Sequence, residues 1–368
     1  MPPEAVKIRD FFLGNKMMWM LALVPVTLVI RYLHLAGDTW IFLLAALSMV
    51  PLARWLSEAT EHLTTRTGPS LGALLNVTFG NAGELMIGFF ALRQGLQPVV
   101  KASIAGSILM NLLLTLGVSM IAGGIRRKTL SFNPLQARTR ATMLTLAAIG
   151  LIFPAAFVFL GGSTAATREG DLSLEFSVIL LITYGCGLFF TLRTHHDLLT
   201  GGKVQEQDHH ATWGAKPALV MLALSAAAIG WMSEVLVGSI EVAAHTLGMT
   251  DLFAGLIVVA LAGNAAEATS AIRAAMRNRM DLCVGIATGS SLQIALFVAP
   301  GLVILSQWAG PHPMDLVFTP AELLSLVLAI AINGQIAGDG DSNWLEGVQL
   351  CAVYLMLAVM FYLLPGSH

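Results

Sequence analysis

Long apolar runs separated by short polar breaks make up most of the chain. Eleven segments hold the roughly 20 mostly apolar residues that a membrane-spanning helix needs. They are 17–35, 39–57, 69–93, 97–123, 140–161, 173–192, 216–241, 250–275, 280–306, 315–334 and 344–364. Turn-rich breaks such as Gly161-Gly162, Gly310-Pro311 and Gly338-Asp339-Gly340 divide them. The runs lack the alternation of barrel strands, so helices are predicted throughout. The first run, Met17 to Ile30, has no small-residue cleavage site after it and reads as a span, not a signal peptide. One polar stretch, Thr194 to Gly214, interrupts the series and reads as a cytoplasmic linker. Its paired histidines, His195-His196 and His209-His210, lack the i, i+4 spacing of a helical metal site, so they give only a weak metal or pH-sensor signal.

Composition sharpens this picture. Only 11% of the 368 residues are charged and 56% are hydrophobic, against about 25% charged in a soluble domain. A disordered chain or a soluble enzyme does not fit. A formal charge of -2 without a basic face excludes a nucleic-acid partner. Cys186, Cys283 and Cys351 fall in apolar runs and read as small hydrophobes. The fold class expected is an all-α polytopic membrane protein with about eleven transmembrane helices. With the N-terminus in the cytoplasm, 16 of the 20 Lys and Arg fall on the cytoplasmic side. Only Arg31, Arg93, Lys101 and Arg168 fall opposite. That bias supports a cytoplasmic N-terminus and a C-terminus on the other side. Arg126-Arg127-Lys128 is read as an anchor at anionic headgroups, as are Arg273, Arg277 and Arg279. Trp40, Trp213, Trp308 and Trp344 sit near span ends, as an aromatic belt requires.

The chain repeats itself. Thr78–Leu113 and Leu261–Leu296 align without gaps at an offset of 183 residues. Gly80, Asn81, Ala82 and Glu84 fall on Gly263, Asn264, Ala265 and Glu267, and Gly106-Ser107 falls on Gly289-Ser290. Leu56-Ser57-Glu58 also resembles Met232-Ser233-Glu234, at a different distance from the asparagine. The units expected are an N-terminal region with the first helix (1–38), a first five-helix repeat (39–192), a polar linker (193–214) and a second five-helix repeat (215–368). An odd number of spans inverts the second copy, which is the plan of secondary transporters with a mid-membrane site.

Glu84 and Glu267 each sit inside an apolar span, where an ionised group costs at least ~2.5–3.5 kcal/mol. Each lies three residues after an asparagine, hence on the same helix face. The preceding glycine permits a broken turn that would direct carbonyls into a cavity. Ser107 and Ser290 add hydroxyls; Gln293 follows Ser290 by one turn, and Asn111 stands near the equivalent place in the first copy. These donors are almost all oxygen, which suits calcium, magnesium, manganese or sodium. Calcium fits best among dications, while manganese and paired monovalent ions stay consistent with the charge count. When the cation leaves, two carboxylates in a low-dielectric cavity should take up protons. Cation and protons would then alternate as neutralising partners.

These motifs resemble those of the cation/proton exchanger branch of the calcium/cation antiporter superfamily. GNAGEL (Gly80–Leu85) and GNAAEA (Gly263–Ala268) look like that branch's two alpha-repeat motifs. GSILMN (Gly106–Asn111) and GSSLQI (Gly289–Ile294) look like the helices that follow, and FNPLQAR (Phe132–Arg138) and WMSE (Trp231–Glu234) extend the match. The resemblance implies a calcium/proton antiporter that exports Ca2+ from the cytosol. Glu84 and Glu267 would be calcium ligands and proton carriers, with the carbonyls of Gly80 and Gly263 completing the shell. Asn81, Asn264, Ser107, Ser290, Gln293 and Asn111 would line the site, and Glu58 and Glu234 would guide cations or protons to it. Members often carry a histidine after the second glutamate; here Ala268 stands there. The strongly acidic inter-repeat segment of many members is reduced to Asp197, Glu206 and Asp208.

The expected partners are Ca2+, H+ and membrane lipid, with no resident cofactor; a homo-oligomer stays open. A sodium/calcium or sodium- or potassium-proton exchanger of the same fold is the alternative. An intramembrane metal-dependent enzyme is disfavoured, because no HExxH, DDxxD or Ser-Lys arrangement occurs. A passive channel is the remaining rival. GDGDSN (Gly338–Asn343) reads as a polar turn, since it lacks the spacing of a twelve-residue calcium loop. Short loops and the lack of a long N-terminal extension point to a prokaryotic inner membrane.

Overall fold

The computed structural model describes residues 16–67, 69–166, 168–194 and 214–364. The linker histidines, Asp197, Glu206, Asp208 and Trp213 lie outside the described residues. The helices, in chain order, are α1 (Leu23–Tyr32), α2 (Asp38–Thr67), α3 (Pro69–Gly80), α4 (Ala82–Arg93), α5 (Gln97–Gly124), α6 (Pro134–Gly162) and α7 (Glu169–Arg193). They continue with α8 (Ala215–Gly238), α9 (Ile240–Thr246), α10 (Asp251–Met276), α11 (Met280–Ser306), α12 (Pro320–Asp339) and α13 (Trp344–Leu363). A two-residue ladder, β1 (Leu130–Ser131) with β2 (Asp341–Ser342), is the one strand pairing among the described residues.

Among the described residues, nine helices are long and apolar enough to cross a bilayer: α2, α5 to α8 and α10 to α13. The expected span 69–93 is a bent pair, with 50° between Leu74–Gly80 and α4. The expected span 17–35 holds a shorter apolar helix, Trp19–Tyr32. Helix length alone therefore does not reproduce the count of eleven. The protein is a multi-pass membrane protein: its helices expose Leu219, Val220, Leu224, Ile179, Ile182, Leu355 and Met356 outward, an apolar surface that water would not tolerate but lipid does. The second span runs to Thr67 rather than ending near residue 57. Residues 58–67 are polar but hold no glycine or proline, so nothing stops the helix before Gly68-Pro69.

Contacts divide the chain into two compact units. The first comprises residues 1–90 and 200–249. Its core is α2 packed along α8, with Phe42, Met49, Leu52 and Leu56 buried on one side and Ile229, Met232 and Leu236 on the other. Thr27 of α1 meets Ser48 of α2 at 3.2 Å between hydroxyls, and Arg31 donates to the Val235 carbonyl at 3.4 Å. Met86 of α4 lies against Gly230 of α8.

The second unit comprises residues 91–199 and 250–368. α5 runs through its middle, with Ile104, Ile108, Leu109, Leu112, Leu113 and Leu116 buried. α5 and α13 cross so closely that a Cβ on Gly117 would meet the Gly347 carbonyl at 2.8 Å, the close backbone approach that small residues allow between membrane helices. The connections gather at two opposite ends. At one end Asn133 N donates to Asp281, Phe132 N donates to the Gly340 carbonyl, and Arg127 reaches the Ala275 and Met276 carbonyls. At the other, Gln97 donates to the His312 and Pro313 carbonyls, Lys101 pairs with Asp315 at 2.6 Å, and Leu316 N donates to Ser173. The caps are legible in the residues. Thr319 and Glu322 form a capping box at the start of α12, and Thr250 caps α10. The GDGDSN segment closes α12 at Asp339, turns at Gly340 with a left-handed φ of 75°, and passes through β2 to Asn343, which accepts from Leu345 N and Glu346 N to start α13. The three cysteines are free.

Candidate functional site

The GN-x-x-E motif of the first repeat falls on the break between α3 and α4. α3 ends at Gly80, Asn81 stands between the helices, and α4 begins at Ala82. The Asn81 amide nitrogen donates to the Val77 carbonyl at 3.1 Å, and Leu85 N donates to the Asn81 carbonyl at 3.0 Å. A helix end leaves its last carbonyls without intrahelical partners, and at this break the Asn81 side chain takes up that of Val77. Glu84 is half-buried in the first turn of α4, where the positive end of the helix dipole favours a carboxylate. Asn81 is 2% exposed.

The second copy differs. Gly263, Asn264 and Glu267 lie inside the unbroken α10. The broken turn that the glycine permits is present at Gly80-Asn81 and not at Gly263-Asn264. The irregularity in α10 comes earlier, as a π-helical stretch at Ala254–Val259. Gly106 explains part of the difference: a Cβ there would overlap the Leu256 carbonyl, so α5 lies directly on that stretch. Its repeat partner Gly289 has no atom within 4 Å of an added Cβ. The asparagines nonetheless keep one local bond in common. Asn264 donates to the Ala260 carbonyl four residues back at 3.0 Å, as Asn81 does to Val77.

In the second unit the structure brings four of the expected residues together from three spans. Asn264 donates to Ser107 Oγ at 2.8 Å. Asn111 donates to Asn264 Oδ1 at 2.8 Å and to Ser290 Oγ at 3.0 Å. All four side chains are buried. The amide orientations follow from the network: Asn264 Nδ2 is committed to Ala260 and Ser107, so its Oδ1 must accept from Asn111. Asn111 Oδ1 then has no hydrogen-bond partner among the described residues. An orphaned buried acceptor calls for a ligand or ordered water, and Asn111 therefore offers the open oxygen of the cluster. Glu267, half-buried, follows Asn264 by one turn on α10.

Two π-helical stretches support this cluster, Met110–Thr115 in α5 and Ile294–Val298 in α11. They begin just after Ser107 and Ser290 at nearly the same repeat register, and a π-bulge of this kind often marks a functional site. Gln293 hydrogen-bonds the Tyr184 hydroxyl of α7. Asn333 of α12 donates to the Leu112 carbonyl within the first π stretch at 3.4 Å. Tyr184 and Asn333 were not expected; a tyrosine and an asparagine inside apolar spans were the available signals.

Of the two access residues, Glu58 accepts from Arg54 at 3.1 Å as an i, i+4 ion pair, with its side chain 26% exposed. Glu234 is exposed near the end of α8. Among the described residues no three His, Cys, Asp or Glu side chains cluster as metal ligands.

A family model described as sodium/calcium exchanger protein matches residues 37–193 and again residues 217–363. A Ca(2+)/H(+) antiporter of Aphanothece halophytica is 41% identical, over 94% of this chain and 96% of its own. The Ca(2+)/H(+) antiporter ChaA of Bacillus subtilis is 40% identical, over 93% and 97%. The structure of native YfkE is similar at a TM-score of 0.82 and 37% identity, covering 95% of this chain and all of that one.

Proposed function

This chain belongs to the sodium/calcium exchanger protein family, and from that premise we propose that it is a calcium/proton antiporter, exporting Ca2+ from the cytosol against entering H+ by alternating access. Two relatives at 40–41% identity over more than nine-tenths of the chain carry that activity in their names. The observation that carries the reading is the doubled GN-x-x-E motif: each copy puts one carboxylate a turn beyond a buried asparagine inside an apolar span. Glu84 and Glu267 are the cation ligands and proton carriers, one from each repeat. Two carboxylates neutralise one dication, and two protons replace its charge. Gly80 supplies backbone oxygen at the break. Gly263 does so in the alternate state, when its turn opens as that of Gly80 has here; inverted repeats can exchange conformations in this way.

Asn81, Asn264, Ser107, Ser290, Gln293 and Asn111 shape the site, with Asn111 Oδ1 presenting the free oxygen. Glu234 gathers cations, and Glu58 does so with Arg54 holding it in place. No resident cofactor is needed, since Ca2+ is cargo and H+ the counter-ion. The N-terminus is cytoplasmic and the C-terminus opposite, in a prokaryotic inner membrane. The loop pairings within the second unit fit the order of its spans, because each joins connections assigned to one side; the choice of the cytoplasmic side rests on the Lys and Arg bias.

The test is calcium uptake into proteoliposomes with an acidic lumen, with and without sodium, and with Mn2+, Na+ and K+ as competitors. Uptake should follow the pH gradient without sodium and stop when the gradient is collapsed. Uptake that needs sodium and ignores the pH gradient indicates a sodium/calcium exchanger. Flux indifferent to both gradients indicates a channel.

A further inference from the structure

The Arg126-Arg127-Lys128 cluster does not simply coat a loop. It borders an open surface cavity of about 470 Å3 lined by Gly124, Ile125, Arg126, Arg127, Lys128 and Trp344. Three of the six lining residues are cations and none is acidic. The cavity lies where α5 ends and α13 begins, at the boundary between span and loop. Gly124 makes the notch: a Cβ there would meet Trp344 N at 2.9 Å.

The three cations have different work. Arg127 Nη1 donates to the Gly123 carbonyl at 2.9 Å and to the Ala275 carbonyl at 3.4 Å, and its Nη2 donates to the Met276 carbonyl at 3.2 Å. It neutralises the carbonyl ends of α5 and α10 together. Arg126 and Lys128 are exposed and have no hydrogen bond or ion pair among the described residues. Among the described residues, two cations without partners, a third held in the wall and no acid in the lining make a site for an anion. The apolar neighbours say which source. Ile125 is 70% exposed, and Trp344 and Leu345 are half exposed beside it at the span ends. Such a border suits a ligand with a charged head and an acyl chain running down the helices.

We propose that this cavity holds the phosphate headgroup of an anionic phospholipid, with Arg126 and Lys128 as its ligands and Trp344 at its edge. Through Arg127 the occupied site sits against the ends of α5 and α10, the helices that carry Asn111 and Asn264.

The site is read by reconstituting the full chain in phosphatidylcholine vesicles containing either brominated phosphatidylglycerol or brominated phosphatidylcholine. The Trp344 contribution to quenching is the difference between the wild type and Trp344→Phe. Phosphatidylglycerol should quench it more strongly, and Arg126→Gln/Lys128→Gln should erase that preference while leaving the thermal midpoint unchanged. Equal quenching by both lipids, or a preference that survives the double substitution, overturns the proposal. Added inorganic phosphate should not relieve the quenching; relief at millimolar phosphate would make this a site for the free anion instead. Binding is measured without flux, so the outcome is independent of the transported ion.

Discussion

The side-chain amides of Asn111 and Asn264, 153 residues apart in sequence, meet at 2.8 Å inside the second unit. Asn264 is thereby used on both faces, as acceptor from Asn111 and as donor to Ser107 and the Ala260 carbonyl. One buried amide ties α10 to α5, and Asn111 carries the tie on to Ser290 in α11. Its saturation makes Asn264 a fixed post. The oxygen left open belongs to Asn111.

Asn264→Ala removes partners from both Asn111 and Ser107. A buried polar group left unsatisfied costs about 1–3 kcal/mol, so two such losses should lower the thermal midpoint clearly and slow exchange. Ser107→Ala removes one acceptor and should have the smaller effect on both. Thermal unfolding in detergent and flux in vesicles read the two. Equal midpoints would remove Asn264 from the centre of the network.

Gly106 and Gly289 occupy equivalent repeat positions but unequal surroundings. Gly106→Ala drives a methyl group into the Leu256 carbonyl, and overpacking against backbone costs ~1–3 kcal/mol or more. Gly289→Ala meets no atom within 4 Å and should be neutral or slightly stabilising, since alanine favours helix by up to ~1 kcal/mol. Thermal midpoints of the two single variants should diverge in that order. A tolerated Gly106→Ala would mean that α5 and the π stretch of α10 lie farther apart.

Lys101 and Asp315 form an ion pair whose side chains are 15% and 16% exposed. Removing one partner of a fully buried pair costs ~3–5 kcal/mol; partial exposure reduces this to roughly 1–3 kcal/mol. Lys101→Met alone should lower the thermal midpoint more than Lys101→Met/Asp315→Leu together. The reverse order would assign more stability to the bond that Asp315 accepts from Val317 N, which only the double substitution removes, than to the ion pair.

Much of this could be read in the residues, and the gaps have physical causes. The asparagine–glutamate spacing located both motifs, and the glycine before Asn81 marked a break that does occur. The same glycine precedes Asn264 without a break, because glycine permits a broken turn and does not impose one; here the contact between Gly106 and Leu256 helps shape the second copy. The π stretches shift hydrogen-bond register without disturbing an apolar run, so hydrophobic pattern alone cannot show them. Tyr184 and Asn333 lie outside the aligned segments, and Asn333 falls opposite Gly150 in the repeat register. The Arg54–Glu58 pair was within reach, since the two lie four residues apart on one helix.

The central claim is that Glu84 and Glu267 exchange the cation for protons. Glu84→Gln and Glu267→Gln preserve shape and remove the charge. The measurement is uptake of radiolabelled calcium into proteoliposomes driven by an acidic lumen, with the thermal midpoint of each variant as a folding control. The account predicts that each folded variant loses uptake to the level of protein-free vesicles. Undiminished gradient-driven uptake in either one would contradict it.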